Sequence, residues 1–474
     1  MNGALLALLH HGSVLACAGP SALARVAGRP GVASRAARGA ALRANAAPPV
    51  GASREHVGLP KSVLRRGGGG GDGGGAPSVA ATGVALSGLP DRSRPFTVLG
   101  IETSCDDTAA AVVRSDGAIL GESIAKQDAI HAQWGGVVPG LARDAHAAAV
   151  GRVVGEALAA AGLSSAADVD AIGVTVGPGL EICLRVGSAH AIELAQRHGK
   201  PFVAVHHLEA HCLMARLAAR AAAPPGSAEQ LPFPFLSLLV SGGHCQLLLC
   251  RGVGDYAIIG STLDDALGEA YDKVARLLGL DVGGGGGAAL EAFARRGNAA
   301  NAPLPVPMAR RKDTSFSFAG LKTAVRTRVG KLDGGGSEAE RADLAAAFQL
   351  AAIAHLEQRL RYALRWCAEQ RSAQADAPIG DAADNDGAAR VPPLSALVVS
   401  GGVAANALVR ARLGALCEEH GLAMHTPPPR LCTDNGVMVA WAAIERLALG
   451  HSDQAEGTEV RARWPLGAAL EVTL

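Results

Sequence analysis

The 474-residue chain has few aromatic residues, few charged residues and no paired cysteine motif. Aromatic residues make up 3% of the sequence and charged residues 18%, whereas hydrophobic residues make up 49%, which excludes global disorder. The nine cysteines are odd in number and include no C-x-x-C pair, so a zinc ribbon or a disulfide scaffold is not favoured. The 61 glycines follow no three-residue period, which excludes a collagen-like chain. The sequence also has no G-x-x-x-x-G-K-[ST] motif, which excludes a P-loop nucleotidase.

Acidic residues are absent from the first 54 positions, which contain six arginines among Ala, Ser, Gly and Leu. This composition is typical of an organellar transit peptide. The glycine run at 67–75, broken only by Asp72, predicts a flexible linker. We therefore assign residues 1–95 to a transit peptide and linker. The alternative is a disordered cytosolic extension. No later apolar run reaches the roughly 18 residues that a membrane span requires.

The formal net charge of +1 is the sum of two unlike parts. Residues 1–95 carry 11 basic and 3 acidic side chains, which leaves 33 basic and 40 acidic side chains in the remainder. The body of the protein is therefore acidic. A polyanionic ligand would have to be held by a local basic surface or by a partner.

Two segments of the body repeat the same order of predicted elements. The first has strand patterns at 96–102, 109–113, 118–123 and 171–176, with helices at 141–161 and 186–197. The second has strand patterns at 235–240, 246–250, 256–260 and 396–400, with helices at 265–278 and 403–419. This repetition predicts a duplicated two-lobe α/β fold of the actin, Hsp70 and sugar-kinase type, with its ligand in the cleft between the lobes. The predicted parts are a first lobe at 96–222, a loop at 223–232, a second lobe at 233–448 with a disordered insertion at 372–393, and a tail at 449–474.

The clearest local motif is H-H-L-E-A-H at 206–211. In a helix, His207 and His211 lie on one face and can reach a single metal ion, whereas Glu209 points away. A zincin protease needs H-E-x-x-H, which this spacing does not provide. Asp434, at the start of an apolar helix, is the best candidate for a third ligand. Alternatively, both histidines are ordinary helix-surface residues and Asp434 is an N-cap.

Three turns could approach the phosphates of a nucleotide-like ligand. One is the polar turn 103–107, and the others are the S-G-G sequences at 241–243 and 400–402. Glycine in such a turn allows backbone N–H groups to approach phosphate oxygens, and a following helix adds its positive end. Tight turns also need glycine for purely steric reasons.

The ordered motifs resemble the family of tRNA threonylcarbamoyladenosine transferases, formerly described as O-sialoglycoprotein endopeptidases or glycoproteases. The resemblance extends over residues 98–464 and includes GIETSCDDT (100–108), HHLEAH (206–211), LLVSGGH (238–244), SGGVAAN (400–406) and CTDNG (432–436). It implies an acyltransferase that moves a threonylcarbamoyl group from threonylcarbamoyl-adenylate, made by a separate synthase, to N6 of the adenosine 3′ of the anticodon. The tRNAs concerned read codons that begin with A.

The resemblance also implies roles for individual residues. One divalent metal, of the iron or zinc type, is expected on His207, His211 and Asp434. The polar turn contributes the catalytic candidates Asp106 and Asp107. Residues expected to bind the intermediate are Leu239, Val240, Ser241, Gly242, Gly243, Asp272, Gly287, Glu291, Ala405, Asn406 and Thr433. Within the glycine run 283–287, Gly285 is an alternative to Gly287.

The sequence departs from the family in one segment and leaves several alternatives open. After G-G-V-V-P, Gly140 replaces an expected glutamate, and Asp144 occupies the position of an arginine. These changes keep an inactive binding subunit in consideration, beside a metal-dependent glycoprotease and a small-molecule kinase of the same fold. The organellar branch of the family favours the mitochondrion over the chloroplast. We also expect a homodimer that is not inserted in a membrane.

Overall fold

The computed structural model describes residues 89–134, 136–222, 231–282, 285–375 and 393–472. Most of the predicted transit peptide and linker, and residues 223–230 of the predicted loop, lie outside these ranges. The described residues form eleven strands: β1 Thr97–Glu102, β2 Asp107–Arg114, β3 Ile119–Lys126, β4 Ala171–Gly177, β5 Phe202–His206, β6 Phe235–Val240, β7 Cys245–Gly252, β8 Asp255–Ser261, β9 Ala396–Ser400, β10 Ala423–His425 and β11 Ala468–Ala469. They also form ten α-helices: α1 Asp128–His131, α2 Pro139–Ala160, α3 Glu181–His198, α4 His207–Ala222, α5 Leu267–Leu277, α6 Gly286–Ala294, α7 Ala319–Val329, α8 Glu338–Ala375, α9 Ala407–Glu419 and α10 Gly436–Ala448.

Two sheets share one topology, which confirms the duplicated α/β fold. The first sheet has the order β3-β2-β1-β4-β5, and the second contains β8-β7-β6-β9-β10, with β11 added beside β8. In each sheet the first three strands are antiparallel, and the first strand of the lobe pairs in parallel with the fourth. The central strands β4, β6 and β9 are buried along their whole length, as expected where helices cover both faces of a sheet.

Helix α4 is buried on two opposite sides. Its residues 210, 213, 214 and 217 pack into the core of the first sheet, whereas residues 208, 212 and 215 pack into the core of the second. The two sets alternate at helical spacing, so each face of α4 meets a different sheet. Every residue from His207 to Leu217 is buried. The helix that carries the histidine pair is therefore held by both lobes.

Helix α10 lies in the range predicted for the second lobe but packs against the first sheet. The approach is close because a glycine on each side faces the backbone of the opposing element. A Cβ on Gly100 of β1 would lie 2.3 Å from the Ala440 backbone nitrogen, and a Cβ on Gly436 would lie 2.3 Å from the Ala110 carbonyl carbon. These glycines let the chain return to the first lobe and place the start of α10 against β1 and β2.

The residues after α10 contact both sheets. The Asp453 carboxylate accepts a hydrogen bond from the Ala204 N–H at 2.8 Å, and the Arg461 N–H donates to the Val176 carbonyl at 2.7 Å. Strand β11 then pairs in parallel with β8.

Within the predicted insertion, residues 372–375 continue helix α8, and 376–392 lie outside the described ranges. None of the helices in the described ranges is long and apolar enough to cross a membrane.

Replacing Gly436 with alanine tests the close packing of α10. We expect the Gly436→Ala variant to lose roughly 1–3 kcal/mol of unfolding free energy, because the methyl group collides with the backbone of β2. The matched control is Gly155→Ala in α2, where an added Cβ would meet no atom within 4 Å. That control should gain about 0.5–1 kcal/mol from its better helix propensity. Urea denaturation measures both values, and an unchanged Gly436→Ala variant would contradict the packing argument.

Candidate metal centre and ligand cleft

His207, His211 and Asp434 converge although they are distant in sequence. The imidazole rings of His207 and His211 are 4.8 Å apart and nearly perpendicular. The Asp434 Oδ1 atom lies 3.6 Å from His207 Nε2 and 3.1 Å from His211 Nε2. One potential ligand atom from each residue lies within 4.8 Å of the others. The three residues predicted from the sequence to hold a metal are therefore brought together.

Asp434 is available to this cluster because its neighbour caps the helix. The Asn435 Oδ1 atom accepts a hydrogen bond from the Met438 N–H at 2.9 Å and satisfies the first turn of α10. The alternative interpretation of Asp434 as the N-cap is therefore wrong. Its carboxylate faces the two histidines and remains 27% exposed.

Glu102 and Ser104 lie behind His207, at the end of β1. The Glu102 Oε2 atom is 3.4 Å from His207 Nδ1, and the Ser104 hydroxyl is 3.2 Å from the same nitrogen. Glu102 is fully buried and also accepts hydrogen bonds from the Ser104 N–H and the Thr175 hydroxyl, both at 2.5 Å. A carboxylate behind an imidazole orients the ring and favours the tautomer in which Nε2 is free to bind a metal. Sequence reasoning missed Glu102, whose one signal was an acidic residue ending an apolar strand.

The charges in the cluster perturb one another's pKa values. Burial alone would lower the pKa of His207, but the negative charges of Asp434 and Glu102 outweigh it and raise that pKa to about 9. Burial would raise the pKa of Asp434, but the charge of His207 and the hydrogen bond from His211 hold it well below its ordinary value. His244, whose ring lies 6.2 Å from that of His207, has its pKa lowered to about 4 by burial. The cluster therefore pairs positive charge on the imidazoles with the Glu102 and Asp434 carboxylates, and a bound metal cation could take the place of that positive charge.

The donor set fits a divalent transition metal. Two imidazoles and one carboxylate are a frequent zinc or iron ligand set, and three protein ligands leave a coordination position for another group. The carboxylate behind His207 supplies the outer support that such sites require. The His211 Nδ1 atom is buried without a hydrogen-bond partner among the described residues, so this imidazole is not committed to a structural hydrogen bond on that side.

Glu209 points away from the cluster, as its helical position predicts. Its Oε1 atom accepts a hydrogen bond from the Gly254 N–H at 2.8 Å, and its Oε2 atom pairs with Arg446 at 2.9 Å. This carboxylate is fully buried, and the Arg446 guanidinium balances its charge. It cannot act as the general base of a zincin beside a metal on the two histidines.

The two S-G-G turns are neighbours at the carboxyl ends of parallel strands. Leu239 of β6 pairs with Ser400 of β9. A Cβ on Gly401, which has a φ of +94°, would lie 2.4 Å from the Val240 carbonyl oxygen, so only glycine fits there. The Thr433 methyl group would lie 3.8 Å from a Cβ on Gly402. The second turn therefore packs against the end of β6, next to the first turn, and lies near the segment that carries Asp434.

Helices α5, α6 and α9 continue from the two S-G-G turns. The start of α5 adjoins the first turn, because the Gly268 N–H donates to the Ser241 carbonyl at 3.0 Å. Further along α5, Asp272 accepts hydrogen bonds from the N–H groups of Gly286 and Gly287, and burial raises its pKa. Glu291 of α6 accepts a hydrogen bond from the Ala407 N–H at 3.1 Å. The predicted intermediate-binding residues thus lie along one connected path.

The predicted binding residues differ in what they can offer a ligand. The side chains of Leu239 and Val240 are buried in the core, so only their backbone is available. Asn406 is also engaged, because it caps α9 through the Val409 N–H at 3.0 Å and donates to Gln349 at 3.1 Å. By contrast, no atom lies within 4 Å of a Cβ built on residues Gly242, Gly243, Gly285 and Gly287. Ala405 and Thr433 are exposed.

His146 holds the polar turn that contains Asp106 and Asp107. It lies 2.7 Å from the Thr108 hydroxyl through Nδ1 and 3.0 Å from the Cys105 carbonyl through Nε2. Burial, followed by the charge of Asp106, raises the pKa of Asp107 to about 7. A carboxylate of that pKa is suited to general-base chemistry near neutral pH.

Neither cysteine beside the turns has the properties of a nucleophile. Burial raises the pKa values of both Cys105 and Cys245 well above the ordinary range of a thiol. Both sulfurs are therefore protonated at neutral pH, and a thiol is a poor nucleophile.

Arg143 and Asp144, in the segment that departs from the family pattern, pair with each other at 2.7 Å on the surface of α2.

Comparisons with known proteins place these features in a family. Residues 118–441 match the family described as TsaD, tRNA N6-adenosine threonylcarbamoyltransferase. A probable mitochondrial tRNA N6-adenosine threonylcarbamoyltransferase from Arabidopsis thaliana is 42% identical over 410 residues, covering 82% of this chain and 79% of the relative. A tRNA N6-adenosine threonylcarbamoyltransferase from Methylocapsa acidiphila is 47% identical over 378 residues, covering 79% of this chain and 97% of the relative. Among solved structures, HypF from T. kodakarensis is similar with a TM-score of 0.46 and 15% identity, covering 74% of this chain and 47% of HypF.

Removing His211 tests the metal centre. We expect His211→Ala to reduce the bound divalent metal from about one ion per chain to under a tenth of that, since two ligands hold an ion far more weakly than three. The matched control is His206→Gln, because His206 contacts the Trp464 carbonyl at 3.0 Å and not Asp434. Metal analysis after gel filtration gives the stoichiometry. Full metal content in His211→Ala would contradict the assignment.

Proposed function

The chain belongs to the tRNA N6-adenosine threonylcarbamoyltransferase family and forms t6A by transferring a threonylcarbamoyl group to N6 of an adenosine in tRNA; we propose that His207, His211 and Asp434 hold the metal that supports this transfer. The observation that carries the proposal is the convergence of these residues, with His244 of the first S-G-G turn beside them. The acceptor is the adenosine 3′ of the anticodon, at position 37, in tRNAs that read codons beginning with A.

The substrate cleft combines backbone donors with acidic side chains. When bound, the divalent ion would supply Lewis-acid activation and charge stabilisation on the phosphate side of threonylcarbamoyl-adenylate. The N–H groups of Gly242 and Gly243 are suited to phosphate oxygens, because no atom lies within 4 Å of a Cβ built on either residue. Asp272 and Glu291 would accept hydrogen bonds from ribose hydroxyls.

The transfer requires an activated acyl group and a site for one proton. The N6 lone pair is delocalised into the adenine ring, so the amine is a weak nucleophile and depends on orientation. N6 forms a bond to the carbamoyl carbon, the bond from that carbon to the phosphate oxygen breaks, and AMP leaves with the electron pair. Asp107, in its carboxylate form, accepts the proton that N6 loses. The Thr108–His146–Cys105 hydrogen bonds hold this turn in place.

The geometry gives no support to a glycoprotease. Glu209 is paired with Arg446 and lies on the other side of α4 from the ligand cluster. A kinase of this fold would use glycine turns but would not need the histidine pair. The third alternative, an inactive binding subunit, is tested by the assay below.

The proposal also covers the compartment in which the protein acts, its oligomeric state and the source of its intermediate. The arginine-rich, acid-free residues 1–54 and the Arabidopsis relative named as mitochondrial support a mitochondrial protein over a chloroplast one. The protein would act as a homodimer and receive threonylcarbamoyl-adenylate from a separate synthase. The metal would be iron or zinc, since imidazole and carboxylate ligands suit both.

A pH profile of t6A formation tests both the transferase function and the role of Asp107 as the base. Purified protein, threonylcarbamoyl-adenylate and unmodified tRNA should yield t6A, with kcat/KM rising as the pH passes through about 7 and then levelling. The sign follows from Asp107, whose carboxylate form is the active base above its raised pKa. Asp107→Asn should lower the rate by roughly 10²–10⁴-fold. Nucleoside analysis by mass spectrometry measures the product.

The outcomes separate the two claims. No t6A from folded, metal-loaded protein would contradict the transferase function. Product formation with no dependence on Asp107 would contradict only its role as the base. Asp116→Asn is the matched control, because Asp116 lies in the turn between β2 and β3 and pairs with Arg114.

A further inference from the structure

A groove between helices α5 and α7 concentrates positive charge. Its volume is about 320 Å³, and it is lined by Lys273, Arg276, Leu277, Lys322 and Arg326. Lys273 and Arg276 are three residues apart on α5, and Lys322 and Arg326 are four apart on α7. At these spacings, each helix presents its two cations on one face. The groove therefore has a pair of cations on each wall.

Asp265 joins the two walls and leaves the arginines available. Its carboxylate bonds to Lys273 at 3.0 Å and to Lys322 at 2.7 Å, so one acid links a lysine on each helix. Glu269 also pairs with Lys273, at 2.8 Å. Arg276 and Arg326 are exposed, and neither forms a close ion pair with a residue that the structure describes. The Asp272 carboxylate, one helical turn before Arg276, is attracted to it without a direct contact of that kind. With Asp265, Glu269 and Asp272 all counted against the four cations, the groove keeps a charge of about +1, and its two guanidinium groups remain exposed.

This arrangement fits a phosphate backbone. Arg276 and Arg326 lie on opposite walls and repel each other, so an anion between the walls lowers the electrostatic free energy of the groove. Guanidinium groups bind phosphate oxygens in a planar, two-pronged geometry. The groove is also unusual for a body with 33 basic and 40 acidic residues. A polyanion attracted to this protein would therefore meet a favourable surface here.

Helix α5 connects the groove to the proposed ligand cleft. Helix α5 starts against the Ser241–Gly242 turn and carries Asp272, which lies next to Lys273 and one helical turn before Arg276. The same helix thus offers one residue to the activated intermediate and two cations to the groove. Given the proposed function, we propose that the α5–α7 groove binds the ribose-phosphate backbone of the tRNA substrate. It thereby holds the nucleic acid beside the cleft where N6 reacts.

Removing the two unpaired charges tests this proposal. The Arg276→Gln/Arg326→Gln variant should raise the Kd for unmodified tRNA about tenfold at 0.1 M salt. The slope of log Kd against log salt should fall by about 2, one for each lost phosphate contact. The KM for tRNA should rise while the KM for threonylcarbamoyl-adenylate stays unchanged. The Arg276→Lys/Arg326→Lys variant should recover most of the affinity, since it restores charge without the planar geometry.

The control pair is Arg152→Gln/Arg365→Gln, which removes the same charge from exposed positions on α2 and α8. An equal loss of tRNA affinity in this control would assign the effect to overall charge and overturn the proposal. Unchanged tRNA affinity in the Arg276→Gln/Arg326→Gln variant would also overturn the proposal. If that variant kept its tRNA affinity but lost binding to polyglutamate, the groove would instead be assigned to an acidic protein. Because binding is measured without the intermediate, wild-type protein that binds tRNA through the groove but forms no t6A would contradict the function and leave the groove proposal intact.

Discussion

The position of the candidate metal centre depends on two largely buried ion pairs between helices α4 and α10. Glu209 of α4 pairs with Arg446 of α10, and Arg216 of α4 pairs with Glu445 of α10 at 2.8 Å. Each helix contributes one acid and one base, so a shift of one helix against the other would bury unpaired charge. Removing one partner of such a pair typically costs about 3–5 kcal/mol. This cost fixes the helices whose N-terminal ends carry the two histidines and adjoin Asp434.

Both lobes contribute residues to the candidate metal centre and its surroundings. The first sheet supplies Glu102 behind His207, and the second supplies the turn that carries His244. Helix α4 lies between the sheets, and the chain leaves the second lobe to place α10 on the first. Because α4 packs on both sheets and α10 packs on the first, the ligand cluster lies at the junction of the two lobes. This explains how residues more than 200 positions apart, such as His211 and Asp434, can lie 3.1 Å from each other.

Local patterns in the sequence predicted most strands and helices, and the histidine spacing predicted the orientation of Glu209. These features depend on the period of the backbone, which a sequence shows directly. The packing of α10 on the first sheet was not predicted, because it depends on how Gly100 and Gly436 meet in space. Asn406 was predicted to bind the intermediate, yet its side chain is engaged as a helix cap. Glu102 was missed because its contact with His207 joins positions 102 and 207, and no local spacing reports it.

The metal centre proposed here has three protein ligands: His207, His211 and Asp434. X-ray absorption spectroscopy of the metal-loaded protein distinguishes this ligand set from others, because the spectrum counts the imidazoles bound to the metal. We expect two imidazoles with oxygen ligands in the wild-type protein, and one imidazole in any metal retained by His211→Ala. A wild-type spectrum with sulfur ligands, or with no imidazole, would contradict the assignment of these three ligands.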